Sequence, residues 1–352
     1  MAGAGSVRLG APEAVWPRTA VAFDWVVIVL SAWLTVGAHL DAWAHINIPG
    51  LETFFTPWHA VLYSGYLALA AFLTGSAIRN RAAGAPWARL LPGGYVLSLL
   101  GVVIFAASGV GDMVWHLIFG IEDSLDALMS PTHLGLALGA GLMVSGPLRA
   151  ARIRGDAGHD LLGRLPYVLS LTFLVTLLAY MTQWAHPLGF IWAYERLRPD
   201  DPRLVFPRQA MTVLSVLLQS GIVMGVLLPE IRRRALPVGS LTVVLGLSAV
   251  LMTFMRAKFL PTGPFLLIGV AVLAGVASDL LLSWLQPSDA RSTAFRVFAF
   301  AVPAVFSSVY FLALILAGGI WWSVHLATGT VALAGIVGWL LSYLVLPPET
   351  AR

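Results

Sequence analysis

Long apolar stretches alternate with short polar ones along the whole chain. Runs long enough to cross a bilayer, at about 20 residues each, lie near 22–46, 57–78, 93–118, 131–150, 165–187, 208–230, 236–256, 262–286, 295–319 and 325–346. About ten such runs with short connections predict an all-α, polytopic integral membrane protein, a single transmembrane domain over residues 1–352. The ends of the odd-numbered runs repeat one another. Asp41–His45, Asp112–His116, Thr182–His186, Met252–Arg256 and Trp321–His325 stand at matching i, i+4 positions, roughly 70 residues apart, and a fixed period marks a repeat architecture. The returning runs open on Pro57-Trp58-His59, Pro131-Thr132-His133 and Pro207-Arg208-Gln209. The pattern predicts five helical hairpins, near 22–90, 91–160, 161–235, 236–290 and 291–350.

Composition agrees with this reading. The chain is 59% hydrophobic and 11% charged, against about 25% charged for a soluble domain. It has no cysteine, which excludes disulfides, thiolate zinc sites and iron–sulfur clusters. Arginines cluster in alternate connections: Arg79, Arg81 and Arg89, then Arg149, Arg152, Arg154 and Arg164, then Arg232, Arg233 and Arg234. The positive-inside rule puts these loops and both termini in the cytoplasm. The loops at 46–56 and 117–130 carry carboxylates but no Lys or Arg, and are expected to face outward. Residues 1–20 lack a signal-peptide layout. The expected setting is the cytoplasmic membrane, with the bilayer and not nucleic acid as partner.

The first two hairpins carry nearly the same polar residues. Asp41 and His45 are followed by Glu52 and Thr56-Pro57-Trp58-His59; Asp112 and His116 are followed by Glu122, Asp126 and Ser130-Pro131-Thr132-His133. Residues i and i+4 share a helix face, so each Asp points with its His. Thr56 and Ser130 suit the N-cap and the prolines suit N1, which puts His59 and His133 at N3. Each Asp stands near a helix C-terminus, where the dipole disfavours an anion and a cation would compensate. Ionisable residues in such an apolar chain ask for a function. The expected metal ligands are Asp41, His45, His59, Asp112, His116 and His133, with His186 and His325 as further members. Glu52, Glu122 and Asp126 are candidates for acid–base catalysis. One or two transition-metal ions, copper, zinc or iron, suit such ligands.

Asp41-x-x-x-His45 followed by His59 is similar to the Asp-x-x-x-His…His copper motif in the C subunit of particulate methane and ammonia monooxygenases. The likeness spans residues 41–59 and recurs with a longer gap at His116 and His133; it implies that this ligand set holds copper at a membrane surface. Five hairpins differ from that family's architecture. Membrane zinc hydrolases of the ceramidase and adiponectin-receptor type also use His and Asp, but their Ser-x-x-x-His and His-x-x-x-His elements are not at equivalent places here.

These features predict a membrane metalloenzyme, an oxidoreductase or hydrolase acting on a small or lipid-like substrate at the outer face. The alternatives are a transporter or metal-delivery protein, and a non-catalytic subunit whose Asp/His sets are structural networks. Transport would call for a polar path to Asp279, whose expected partner is Arg296. Asp24 opens the first run, where the helix dipole suits it. His39 is expected on a different face from Asp41, and His159 in a cytoplasmic loop. Trp192, Trp321 and Trp322 read as an aromatic belt. The glycines from Gly101 to Gly111 and from Gly135 to Gly141 read as close helix contacts. The 187–207 loop reads as an interfacial segment or a lid.

Overall fold

The computed structural model describes residues 17–48, 55–120, 125–154 and 161–347, apart from the side chains of 17–20, 126 and 127. Its α-helices are α1 (Pro17–Asn47), α2 (Pro57–Ala82), α3 (Val96–Phe119), α4 (Asp126–Met129), α5 (Pro131–Val144), α6 (Gly146–Arg154), α7 (Leu161–Met181), α8 (Val205–Arg233), α9 (Ser240–Met255), α10 (Pro264–Leu285), α11 (Ser292–Gly318) and α12 (Val324–Val345). No β-strand occurs among the described residues.

Nine helical segments among the described residues are long and apolar enough to cross a membrane, with α5 and α6 end to end as one of them. Their outward faces carry large apolar side chains such as Leu117, Phe265, Leu316 and Leu344, as a lipid environment requires. The run expected at 236–256 forms the shorter α9, of 16 residues. At 1.5 Å per residue it is about 24 Å long, less than the roughly 30 Å hydrocarbon core. Its start is delayed because Gly239 takes φ +92°, a conformation that suits glycine.

Consecutive long helices fold back on one another in five places: α1 on α2, α3 on α5, α9 on α10, α10 on α11, and α11 on α12. The third expected hairpin is splayed, with α7 mainly against α9 and α1, and α8 against α12. The α3–α5 crossing is close because both helices present glycine there: a Cβ on Gly139 would stand 2.8 Å from the Gly101 carbonyl oxygen, as small residues at helix interfaces permit. Three apolar clusters fill the interior. One joins α1, α2, α3 and α5; the other two occupy opposite ends of the remaining bundle.

The helix end predicted at 182–186 is different. α7 stops at Met181, Gln183–Ala185 forms a 3₁₀ turn, and His186 is extended, because Pro187 disfavours helix in the residue before it. Trp321 and His325 are also not on one helix. Gly318 and Gly319 end α11 with positive φ, and Ser323 caps α12. The shared i, i+4 face is therefore confined to the ends of α1 and α3 and, in fragment, to Met252–Arg256 at the end of α9.

Buried acids tie the arginine-rich ends together. Asp24 accepts from Tyr95 and pairs with Arg154. Glu230, fully buried, accepts from Tyr167 and pairs with Arg152. Asp279 does not meet Arg296. It accepts from the Leu241 and Thr242 backbone N–H groups and from Thr242 Oγ1, at 3.1, 2.9 and 2.7 Å, anchoring the start of α9. Arg296 lies over the Tyr343 ring. The 187–204 segment is not a lid over the Asp/His residues: Tyr194 is buried, Trp321 Nε1 donates to the Trp192 carbonyl, and Glu195 N–H donates to that of Gly319. Trp322 belongs to the packed core and not to a belt.

Candidate metal centre

The helix starts form as their sequences require. Thr56 and Ser130 take extended N-cap conformations, with Pro57 and Pro131 next, and each cap oxygen accepts the backbone N–H of the His at N3. The same oxygens approach the imidazoles, Thr56 Oγ1 at 2.9 Å from His59 Nδ1 and Ser130 Oγ at 2.7 Å from His133 Nδ1.

Asp41, His45 and His59 form one group that could hold a metal ion, and Asp112, His116 and His133 form a second; within each, one ligand atom per residue lies within 4.8 Å of the others. Asp41 Oδ2 is 3.8 Å from His45 Nε2 and 3.6 Å from His59 Nε2. Asp112 Oδ2 is 3.6 Å from His116 Nε2, and Oδ1 is 3.4 Å from His133 Nδ1. The paired rings are 5.4 Å apart at 77° in the first group and 5.9 Å apart at 72° in the second. Metal bonds of about 2.0–2.2 Å at tetrahedral angles place ligand atoms roughly 3.3–3.6 Å apart, and the four Asp–His separations, 3.4–3.8 Å, lie close to that range.

His116 has a defined tautomer. Its Nδ1 lies 3.2 Å from the Gly120 carbonyl oxygen; a carbonyl only accepts, so Nδ1 carries the proton and Nε2 turns a lone pair toward Asp112. A metal-ligating His typically donates its other N–H to such a carbonyl. The groups differ in two respects: His59 faces Asp41 through Nε2, whereas His133 faces Asp112 through Nδ1, the nitrogen that Ser130 Oγ also approaches; and Asp112 Oδ1 accepts from Thr132 Oγ1 at 2.9 Å, whereas Asp41 Oδ1 is buried with no hydrogen-bond partner among the described residues.

Both groups open into one cleft among α1, α2, α3, α5 and α7. Asp41, His59, Asp112 and His133 line it, with Tyr63, Tyr180 and an apolar wall that includes Leu34, Phe105 and Leu136. Its empty volume, mouth included, is about 760 Å³. The charges of Asp41 and Asp112 reach one another, as do those of His45 and both histidines of the second group.

His39 lines the same cleft, against expectation, because the cleft wraps about half of α1. Its Nδ1 donates to the Thr35 carbonyl at 2.8 Å, leaving Nε2 a buried acceptor with no partner among the described residues. Tyr63, Tyr180 and the Gly120 carbonyl carry no motif of their own; the glycine after the Asp-x-x-x-His helix is a signal for the last alone.

His186 and His325 join neither group. His325 is exposed. His186 lines a different cavity, and its Nδ1 accepts the Leu188 N–H at 3.1 Å, so Nε2 carries the proton and has no lone pair for a metal. Glu52, Glu122 and His159 lie outside the described residues; Asp126 is in α4, but its side chain also lies outside them. No protein-family model, curated protein or solved structure matches the chain.

Proposed function

We propose that the chain is a membrane metalloenzyme that holds a transition-metal ion in each Asp–His–His group and acts on a small or lipid-like substrate in the cleft between them. The observation that carries this reading is the duplication: two Asp–His–His groups of the same residue order, each with one His set by its helix cap, open into one cleft. Two His and one carboxylate leave coordination positions open, as catalytic sites do and closed structural sites do not. The apolar wall suits a substrate that arrives from the lipid.

Bound copper or iron would supply oxidation, and zinc would supply activation of water for hydrolysis. Glu52, Glu122 and Asp126, which fall in the sequence between each Asp-x-x-x-His and the following Ser/Thr-Pro-x-His, are the proposed acid–base residues. The first two hairpins are proposed as copies of one ancestral unit. With the arginine-rich ends in the cytoplasm, the cleft opens on the extracytoplasmic side of the cytoplasmic membrane. Transport gains no support from Asp279, whose carboxylate is taken up by the backbone of α9.

Elemental analysis of the purified protein tests the reading, wild type against His59→Ala and His133→Ala, each checked for folding. One or two equivalents of a single transition metal, reduced in both variants, are expected. No bound metal after reconstitution with copper, zinc, iron and manganese would overturn it.

A further inference from the structure

A second cavity, with an empty volume of about 650 Å³ when its mouth is included, lies among α7, α8, α9 and α11. It occupies the seam between two apolar clusters: Val175, Met224 and Val302 belong to one, and Ala179, Leu245 and Ala249 to the other. None of the Asp–His–His residues lines it. The 186–188 segment lines its loop end. From Val216 to Met224 it follows α8 toward the bundle interior, about 12 Å at 1.5 Å per residue.

The polar atoms on its wall are nearly all engaged. Ser220 donates to the Val216 carbonyl, Ser248 bonds Thr176, and the Gln219 amide donates to Thr182 Oγ1 and the Ala185 carbonyl. Gln219 Oε1 meets no donor among the described residues, and His186 is the larger exception. Leu188 N–H occupies its Nδ1, so Nε2 bears hydrogen, and no acceptor among the described residues meets it although the residue is only 7% exposed. Nε2 itself keeps some accessible surface, so it can donate to a molecule that occupies the cavity. Burial, with Arg256 adding to it, holds the His186 pKa down to about 3, so the ring is a neutral donor. Arg256 itself donates to Gln183 Oε1, lies over the Phe190 ring, and pairs with no carboxylate of the described residues.

We propose that this cavity binds a single-chain amphiphile, an apolar chain of about 12 Å ending in a hydrogen-bond-accepting oxygen, with that oxygen on His186 Nε2 and the chain along α8. The head is a ketone-like carbonyl or a carboxylate. Both accept from Nε2–H, and a carboxylate also gains from the Arg256 charge. The site is independent of the metal reading, since it shares no residue with either group.

The test is thermal unfolding of the full chain in detergent micelles with 2-undecanone, decanoate or undecane. A ligand that binds only the folded state raises the midpoint. Undecanone, decanoate or both are expected to raise it by several degrees while undecane does not, and which of the two acts reports the charge of the head. The rise should vanish in His186→Phe and, with His186 retained, in Val223→Trp, which fills the cavity from α8. An equal rise with undecane, or no rise with any of the three in the wild type, would overturn the proposal.

Discussion

Thr56 Oγ1 accepts the backbone N–H of His59 at 3.1 Å and lies 2.9 Å from the Nδ1 of the same residue. One hydroxyl thus starts a helix and aims an imidazole, and Ser130 does the same for His133. When His59 Nε2 faces a metal, its Nδ1–H donates to this oxygen. Helix stability and ligand geometry are therefore coupled at one atom.

Thr56→Val should remove both interactions, and Thr56→Ser should keep them. Loss of the cap costs about 1 kcal/mol, and loss of an outer-shell partner typically costs 10–100-fold in metal affinity. Metal titration followed by elemental analysis should show the valine variant weakened by that range and the serine variant close to wild type. Equal affinity in both would mean that Thr56 acts on the helix alone.

Gly120→Ala should disturb the second group from outside it. Gly120 has φ 82° and ψ −176°, a region essentially restricted to glycine, where another residue costs about 1–3 kcal/mol. Its carbonyl accepts the His116 Nδ1 proton, so backbone relaxation frees the ring to turn. The expected result is a protein that folds with a lowered unfolding midpoint and loses metal from the second group while the first keeps its own. In a His59→Ala background, which reports the second group alone, Gly120→Ala should leave little metal.

The repeated residues were legible because they obey local rules. The i, i+4 spacing placed Asp41 with His45, and the Ser/Thr-Pro-x-His order placed His59 and His133 at N3, where they are found. The helix dipole acts only weakly on the two acids. Asp41 and Asp112 lie nearly two turns before Asn47 and Phe119, beyond the last turn where the effect is felt; their burial is the stronger demand for a cation. What failed depended on three-dimensional packing or on local breaks. Pro187 and the Gly318-Gly319 pair end helices that hydrophobicity alone carries onward. The partner of Asp279 is a backbone amide thirty-eight positions away, which no side-chain pattern announces. His39 enters the cleft because neighbouring helices leave half of α1 uncovered, a matter of packing and not of spacing.

Asp279→Ala should destabilise the second half of the bundle without touching the metal. The substitution removes acceptors from two backbone N–H groups and the Thr242 hydroxyl at the start of α9. Leaving buried donors unsatisfied costs about 1–3 kcal/mol each, so a lowered unfolding midpoint with unchanged metal stoichiometry is expected. Asp279→Asn, which keeps one acceptor oxygen, should fall between. Loss of metal in a folded Asp279→Ala protein would contradict the separation of the two regions.

His186 should make the folded state acid-sensitive. Its pKa is about 3 in the fold, against about 6.5 in an unfolded chain. Between those values the unfolded chain binds a proton that the folded chain does not, so stability falls as pH falls through that window and gains no pH dependence from this group above it. The slope is at most about 1.4 kcal/mol per pH unit for one proton. Unfolding midpoints in micelles at pH 7, 5.5 and 4.5 should drop more steeply for the wild type than for His186→Phe, which has nothing to titrate there. The comparison rests on the difference of slopes and not on absolute midpoints, because the variant also strips the Leu188 N–H of its acceptor and starts from a lower stability. Parallel slopes would mean that the imidazole takes up its proton in place, with the cavity wet enough to solvate the charge.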